Sequence, residues 1–195
     1  MATKLSGPCQ NYKQVTQFST QRLALIALLS ALAYIGRLVC QPFPNIQPVT
    51  VIIILITMYM GWLDGVCVAV LSILLSNMLM GMGPWTIAQI LTYMLLVSVT
   101  CYVSPCLRQG LSGQGLRPQW KMVIFSGFLG VLYGFVISIF SYRMFGLTQF
   151  WPYYLQGIPF DMMHALGNSI FYVLLHPLLT PLILKFMRNQ QNNEH

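Results

Sequence analysis

The segment GIPFDMMHALGN, residues 157–168, carries polar side chains that could bind a ligand within a long apolar run. Asp161, His164 and Asn168 are spaced i, i+3 and i+7, which places them on one face of a helix. In a structural role, Asp161 would follow Pro159 in the first helical turn and complement the helix dipole, while the other two would bond to neighbouring helices. In a functional role, all three would anchor a ligand by hydrogen bonds. We expect the structural role for Asp161 and the ligand-binding role for His164 and Asn168.

A second aligned set of side chains lies in the apolar run that starts at residue 85. Trp85, Gln89 and Tyr93 are spaced i, i+4 and i+8 and share one helix face. Asn77 ends the preceding apolar run, and Arg37 lies at the end of the first run. Polar groups in such apolar surroundings are costly unless they face a cavity or each other. We therefore expect these five side chains to face a cavity or one another.

The composition identifies the class of protein. Of the 195 residues, 56% are hydrophobic and only 7% are charged, and the mean hydropathy is +0.68. Soluble domains carry about 25% charged residues. So few charges cannot cover the surface of a soluble protein, so the chain is an integral membrane protein.

The apolar runs predict an all-α bundle of six transmembrane helices, since a crossing needs about 20 residues. The second run is short because it follows the three prolines of QPFPNIQP, and GWLD joins it to the third in a tight hairpin. We expect a cytoplasmic tail at 1–21, one membrane domain at 22–187 and a second tail at 188–195. The six runs are 22–40, 47–61, 63–80, 85–104, 121–141 and 162–186.

The basic residues predict the orientation. If the N-terminus is cytoplasmic, eight of the ten fall inside, and only Arg37 and Arg143 fall outside. This asymmetry follows the positive-inside rule, and with six crossings both termini are cytoplasmic. The net charge of +7 thus reflects topology, and we expect no nucleic-acid partner. The inner basic residues are Lys4, Lys13, Arg22, Arg108, Arg117, Lys121, Lys185 and Arg188.

Small residues recur on two of the predicted helices, where they allow close helix contacts in lipid. On the first, Ala27 and Ala31 form a small-xxx-small pair beside Ala24, which suits packing within the bundle or docking of another membrane subunit. On the fifth, we expect packing within the bundle. Its small residues are Ser126, Gly130, Gly134 and Ser138.

Sequence motifs for catalysis are missing. The chain has no HExxH, GxSxG or Walker lysine motif and no zinc-ligand spacing, so we expect no catalytic residues, no metal site and no ATP hydrolysis of its own. There is no selectivity-filter signature and no convincing internal repeat, which disfavours a channel or a secondary transporter. The remaining class is a membrane-embedded binding protein that takes its energy from a partner.

Four stretches resemble the S components, the substrate-binding subunits, of energy-coupling factor (ECF) vitamin transporters. They are RLALIALLSALAYIGRL, PNIQPVT, LLSNMLMGMGPWTIAQ and GIPFDMMHALGN, and their order and spacing agree over residues 22–187. The resemblance implies a multi-pass protein of a prokaryotic plasma membrane that captures a vitamin at the outer face. It also implies partners, which are a transmembrane scaffold subunit and two cytoplasmic ATPases that hydrolyse ATP. It implies no permanently bound cofactor.

The resemblance also implies residue roles. The stripe of Ala24, Ala27 and Ala31 would dock the scaffold, and the segments 42–48 and 81–85 would gate the site. The first gate adds two amides to the candidate ligand-binding residues, which are Arg37, Asn45, Gln47, Asn77, Trp85, Gln89, Tyr93, His164 and Asn168.

The motifs are most similar to those of the cobalamin-type group, with the pantothenate type next. A corrinoid would suit aromatic, Met and amide side chains, and its cobalt could be ligated by the neutral imidazole of His164. Pantothenate is an anion and would need a cation, for which Arg37 and Arg143 are placed. A stand-alone facilitator and a membrane enzyme or assembly factor are the alternatives outside this family.

Overall fold

The computed structural model describes residues 19–108 and 119–192, which form six helices and, within these ranges, no strand. Five of the helices are long and apolar enough to cross a membrane. The all-α six-helix prediction is confirmed, and the first five helices agree with the predicted runs to within a few residues. The helices are α1 (Thr20–Val39), α2 (Val49–Met60), α3 (Trp62–Met80), α4 (Trp85–Arg108), α5 (Trp120–Met144) and α6 (Phe150–Asn192).

Helix α6 begins twelve residues before the predicted run, at Phe150 instead of residue 162. The sequence FWPYYLQGIPF therefore forms the start of a 43-residue helix, although the predicted runs left it in the connection between the fifth and sixth helices. Aromatic packing explains the difference, because the rings of Phe150 and Tyr154 stack at 5.8 Å and both contact Phe135 of α5. Pro152 lies in the first turn, where a helix needs no backbone N–H donor.

Helix α2 occupies the centre of the bundle and packs against every other helix. All residues from Val49 to Thr57 are buried, which explains why this segment is apolar on every side. Its 12 residues span about 18 Å, whereas the hydrocarbon core of a bilayer is about 30 Å thick. Because Gly61 alone joins α2 to α3, the missing turns are at the opposite end of α2. The non-helical residues 40–48 fill that level of the bundle.

The small residues of the fifth helix lie at its contact with α6, as predicted. A Cβ atom on Gly130 would lie 2.9 Å from the backbone nitrogen of Ala165, and one on Gly134 would overlap the carboxylate of Asp161. Ser126 and Ser138 are also buried. The stripe therefore allows the two backbones to approach closely.

At the end of the bundle that holds the start of α1, a buried ion pair joins α1 to α3. Arg22 donates from Nε and Nη2 to the two carboxylate oxygens of Asp64, each at 2.8 Å. Asp64 is only 1% exposed. At the same end, the Gln190 amide of α6 donates to the Gln21 side chain of α1 at 2.6 Å. By the order of the helices, Lys121, Lys185 and Arg188 belong to this end, which the positive-inside rule predicts to be cytoplasmic. We call the opposite end of the bundle the outer end.

Candidate functional site

His164 of α6 lies at the centre of a group of polar side chains around the outer end of α2. Its ring is only 3% exposed. Nδ1 lies 2.7 Å from the backbone oxygen of Asn45, and Nε2 lies 3.3 Å from Oγ1 of Thr50. Because a carbonyl can only accept, we assign the proton of the neutral ring to Nδ1. Nε2 then presents its lone pair to the hydroxyl of Thr50.

Two tyrosines form an aromatic wall beside this histidine. The ring centroids of Tyr93 on α4 and Tyr133 on α5 are 5.0 Å apart, and Tyr133 lies 5.3 Å from the ring of His164. The Tyr93 hydroxyl is 3.4 Å from Oγ1 of Thr50. Sequence reasoning named Tyr93 and His164 but missed Thr50 and Tyr133. Thr50 could have been noticed as the one polar residue in the run VTVIIILI.

Amide side chains extend the polar group along α3 and α4. The Asn77 amide donates to Oγ1 of Thr86 at 2.9 Å and to Oε1 of Gln89 at 2.8 Å. Gln89 in turn interacts with the side chain of Tyr133. Asn77 and Gln89 therefore hold the start of α4 against the end of α3 and lead directly to the aromatic wall.

Arg37 is a buried cation at the outer end of α1. Its side chain is 9% exposed, and Nη1 donates to the hydroxyl of Ser76 at 2.7 Å. Its Nε is buried and has no hydrogen-bond partner among the described residues. Ser76 precedes Asn77, whose amide bonds to Gln89. Arg37 is therefore linked through α3 to the same group of side chains as His164.

The connection between α1 and α2 is held against α6. Asn45 adopts a left-handed backbone conformation with φ of 59°, which asparagine tolerates better than most residues. Its side chain donates to the backbone oxygen of Phe160 at 3.3 Å, in addition to the bond between its own backbone oxygen and His164. Gly167 lets Ile46 approach, because a Cβ there would lie 3.3 Å from the Cα of Ile46. Residues 40–48 thus cover the polar group from one side.

The remaining residues of the two predicted gates lie farther out. Trp85 is 42% exposed, and its indole ring packs directly over Gly83 in the connection between α3 and α4. Gly81 ends α3 with φ of 110°, a conformation that favours glycine. Gln47 is half-buried in the connection between α1 and α2.

Asn168, predicted to bind ligand, and Asp161, predicted to have a structural role, both face α5 and not the group around His164. Asn168 faces α5, where its amide donates to the backbone oxygen of Ser126 at 3.3 Å, although its own Oδ1 is buried and has no partner among the described residues. Asp161 is the twelfth residue of α6 and packs against Gly134. The prediction that it complements the first helical turn was wrong, because the aromatic segment before it is helical.

The group offers hydroxyl, imidazole and amide side chains together with one guanidinium. Such an arrangement can recognise a polar molecule by hydrogen bonds and can neutralise one negative charge. It lies at the level of the bundle where α2 begins and the non-helical residues 40–48 end. Non-helical backbone at membrane depth is tolerated where it is enclosed by protein. Residues 45–48 are buried or half-buried, and Asn45 and Ile46 contact α6, whereas residues 41–44 are exposed.

Comparison with known proteins identifies the family. The family model described as "ECF transporter, substrate-specific component" matches residues 21–186, which is most of the chain. No curated protein and no solved structure matches. The helical membrane bundle is the fold of such components. The chain therefore belongs to the family of substrate-specific components, or S components, of ECF transporters.

Proposed function

We propose that this S component captures a vitamin at the outer face of the plasma membrane of a prokaryote and delivers it inward with its partners. S components are transporter subunits and not enzymes, and the family implies a membrane scaffold and ATPase partners. The observation that carries the proposal is the position of His164. It connects α6 to α2 through Thr50 and to the outer connection through Asn45. In our proposal two cytoplasmic ATPases supply the energy, and this chain holds no permanent cofactor.

Cobalamin or a related corrinoid is our first candidate for the vitamin. Histidines that ligate metals usually donate their other ring N–H to a carbonyl or carboxylate, which fixes the ring and its tautomer. The bond from Nδ1 of His164 to Asn45 has this form and leaves Nε2 available as a ligand once the Thr50 hydroxyl rotates away. Pantothenate is the second candidate, and the observation that favours it is the buried cation Arg37.

The substrate is tested on the purified chain alone in lipid nanodiscs. Mass spectrometry of co-purified small molecules, followed by equilibrium binding of cyanocobalamin and of pantothenate, identifies the class. His164→Ala is expected to weaken binding by about tenfold or more, since it removes a hydrogen-bonding group worth about 1.4 kcal/mol. The lipid-exposed Leu166→Ala is the matched control on the same helix. If both variants are folded and bind the vitamin with equal affinity, His164 is not part of the binding site.

The docking of the scaffold is tested separately on α1. Ala24 and Ala27 are exposed and Ala31 is half-buried, so the three present small side chains on the surface of the bundle. Ala27→Phe is expected to abolish co-purification of the scaffold and the ATPases and to abolish ATP-dependent uptake, because it prevents close helix contact. Vitamin binding by the isolated chain should not change.

Leu166→Phe is the control for this experiment, since it enlarges an exposed side chain on α6. If Ala27→Phe still assembles as the control does, the alanine face is not the docking surface. If the chain alone moves vitamin into liposomes without ATP or partners, it is a facilitator and the coupled mechanism is wrong.

A further inference from the structure

We infer that the outer site contains an oxyanion subsite formed by the Arg37 guanidinium and the N-terminus of α2. The inference rests on the proposed function, because it specifies which part of the captured vitamin the site recognises. The ligand class is a vitamin with a carboxylate or a phosphate group. Four observations support it.

The first observation is that Arg37 is buried without a carboxylate partner. Within residues 19–108 and 119–192, the ion pair that is present joins Arg22 to Asp64 at the other end of the bundle. Arg37 donates from Nη1 to a neutral serine, and its Nε bonds to none of the described residues. A buried charge is costly unless it is paired. A bound anion would supply the missing pair.

The second observation is that the N-terminus of α2 is buried and lacks a side-chain cap. Pro48 is its N-cap residue and makes no side-chain hydrogen bond to the helix. The first N–H groups of a helix have no partner within it, and they carry the positive end of the helix dipole. Helix N-termini of this kind bind anions, and interrupted membrane helices use them toward anionic substrates.

The third observation is that these two features meet. Gly36, the neighbour of Arg37, approaches Pro48 so closely that a Cβ atom would overlap the proline ring. The Tyr93 hydroxyl lies 3.4 Å from Thr50 in the first turn of α2. The outer end of α1, which carries Arg37, therefore packs against the helix terminus.

The fourth observation is that neutral hydroxyl donors lie near the helix terminus. Tyr93 and Tyr133 can each donate a hydrogen bond to an oxyanion, as can Thr50 once its hydroxyl turns away from His164. A planar guanidinium suits carboxylate and phosphate oxygens in particular, because it donates to two of them at once. The subsite thus combines one full charge, one helix terminus and hydroxyl groups.

Both candidate vitamins carry this chemistry, and analogues without the anionic group distinguish them. Cyanocobalamin has a phosphodiester in its nucleotide loop, which dicyanocobinamide lacks, and pantothenate has a carboxylate, which pantothenol replaces with an alcohol. We would measure the equilibrium binding of all four compounds to the full chain in nanodiscs. The variants are Arg37→Gln, Arg37→Lys and, as a matched control for an arginine outside the site, the exposed Arg188→Gln at the other end of the bundle.

The expected result is that one parent compound binds about 10- to 100-fold more tightly than its analogue to the wild-type chain, as a hydrogen bond to a charged group requires. Arg37→Gln should remove most of this difference, Arg37→Lys should restore part of it, and Arg188→Gln should preserve it. The thermal stability of each variant is measured in parallel. Arg37→Gln should be at least as stable as the wild-type chain without ligand, because an unpaired buried charge has been removed.

Two results would overturn the inference. Only the second would also contradict the proposed substrates. If a parent compound and its analogue bind equally to the wild-type chain and to Arg37→Gln, the oxyanion subsite is wrong and the vitamin assignment survives. If neither parent compound binds, both the subsite and the proposed substrates are wrong. If Arg37→Gln does not fold, the subsite is tested by the affinities of the parent compound and its analogue for the wild-type chain and for Arg37→Lys.

Discussion

Gly130→Leu is expected to prevent stable folding of the bundle. Gly130 faces Ala165 so closely that even a Cβ atom would lie 2.9 Å from the backbone nitrogen and the Cα of that residue. Backbone atoms cannot rotate away as a flexible side chain can, so a leucine must separate α5 from α6. Overpacking of a well-packed core costs about 1–3 kcal/mol and occasionally more. Here the separation would also break the bonds between Ser126 and Asn168.

The measurement is the fraction of monodisperse protein in size-exclusion chromatography after extraction, together with the melting temperature. Gly157→Leu is the matched control, because Gly157 lies on the same pair of helices and a Cβ there meets no atom within 4 Å. Equal yields and melting temperatures of the two variants would contradict the close contact between α5 and α6.

Asp64→Ala is expected to destabilise the bundle by about 3–5 kcal/mol, the cost of removing one partner of a buried ion pair. The Arg22 side chain is only 14% exposed, so the charge that remains is poorly solvated. The two bonds between these residues also connect α1 to α3. We therefore expect looser packing of α1, measured as a lower unfolding midpoint in denaturant and faster proteolysis near residue 20.

The double variant Arg22→Met with Asp64→Leu is the informative comparison. Replacement of a whole buried ion pair by apolar side chains of similar volume is often neutral or stabilising. We therefore expect the double variant to recover most of the stability lost in Asp64→Ala. The exposed Lys121→Ala should have little effect on the unfolding midpoint. A double variant as unstable as Asp64→Ala would show that the carboxylate acts through contacts other than Arg22.

The helical framework could be predicted because apolar length is a strong signal in membrane proteins. The short α2 was also predictable from the prolines before it. The start of α6 was not, because FWPYY and GIPF carry turn-forming residues. Their helix depends on packing of Phe150 and Tyr154 against α5, and no local pattern reveals such a contact.

The candidate site was only partly predictable. Helical spacing placed Gln89 and Tyr93 on one face, and the structure puts both near Tyr133. The bond between Arg37 and Ser76 joins residues that are far apart in the chain, so it requires the three-dimensional arrangement of α1 and α3. Helical spacing also aligned Asn168 with His164, but Asn168, which lies one turn later on α6, faces α5.

Binding to oriented membrane vesicles tests the central claim most directly. Right-side-out and inside-out vesicles that contain the chain, without ATP, are incubated with radiolabelled cyanocobalamin and with radiolabelled pantothenate. If the site opens at the outer face, only right-side-out vesicles bind one of the two compounds, and His164→Ala greatly reduces that binding. Binding confined to inside-out vesicles would contradict the account, as would binding that is unchanged in His164→Ala.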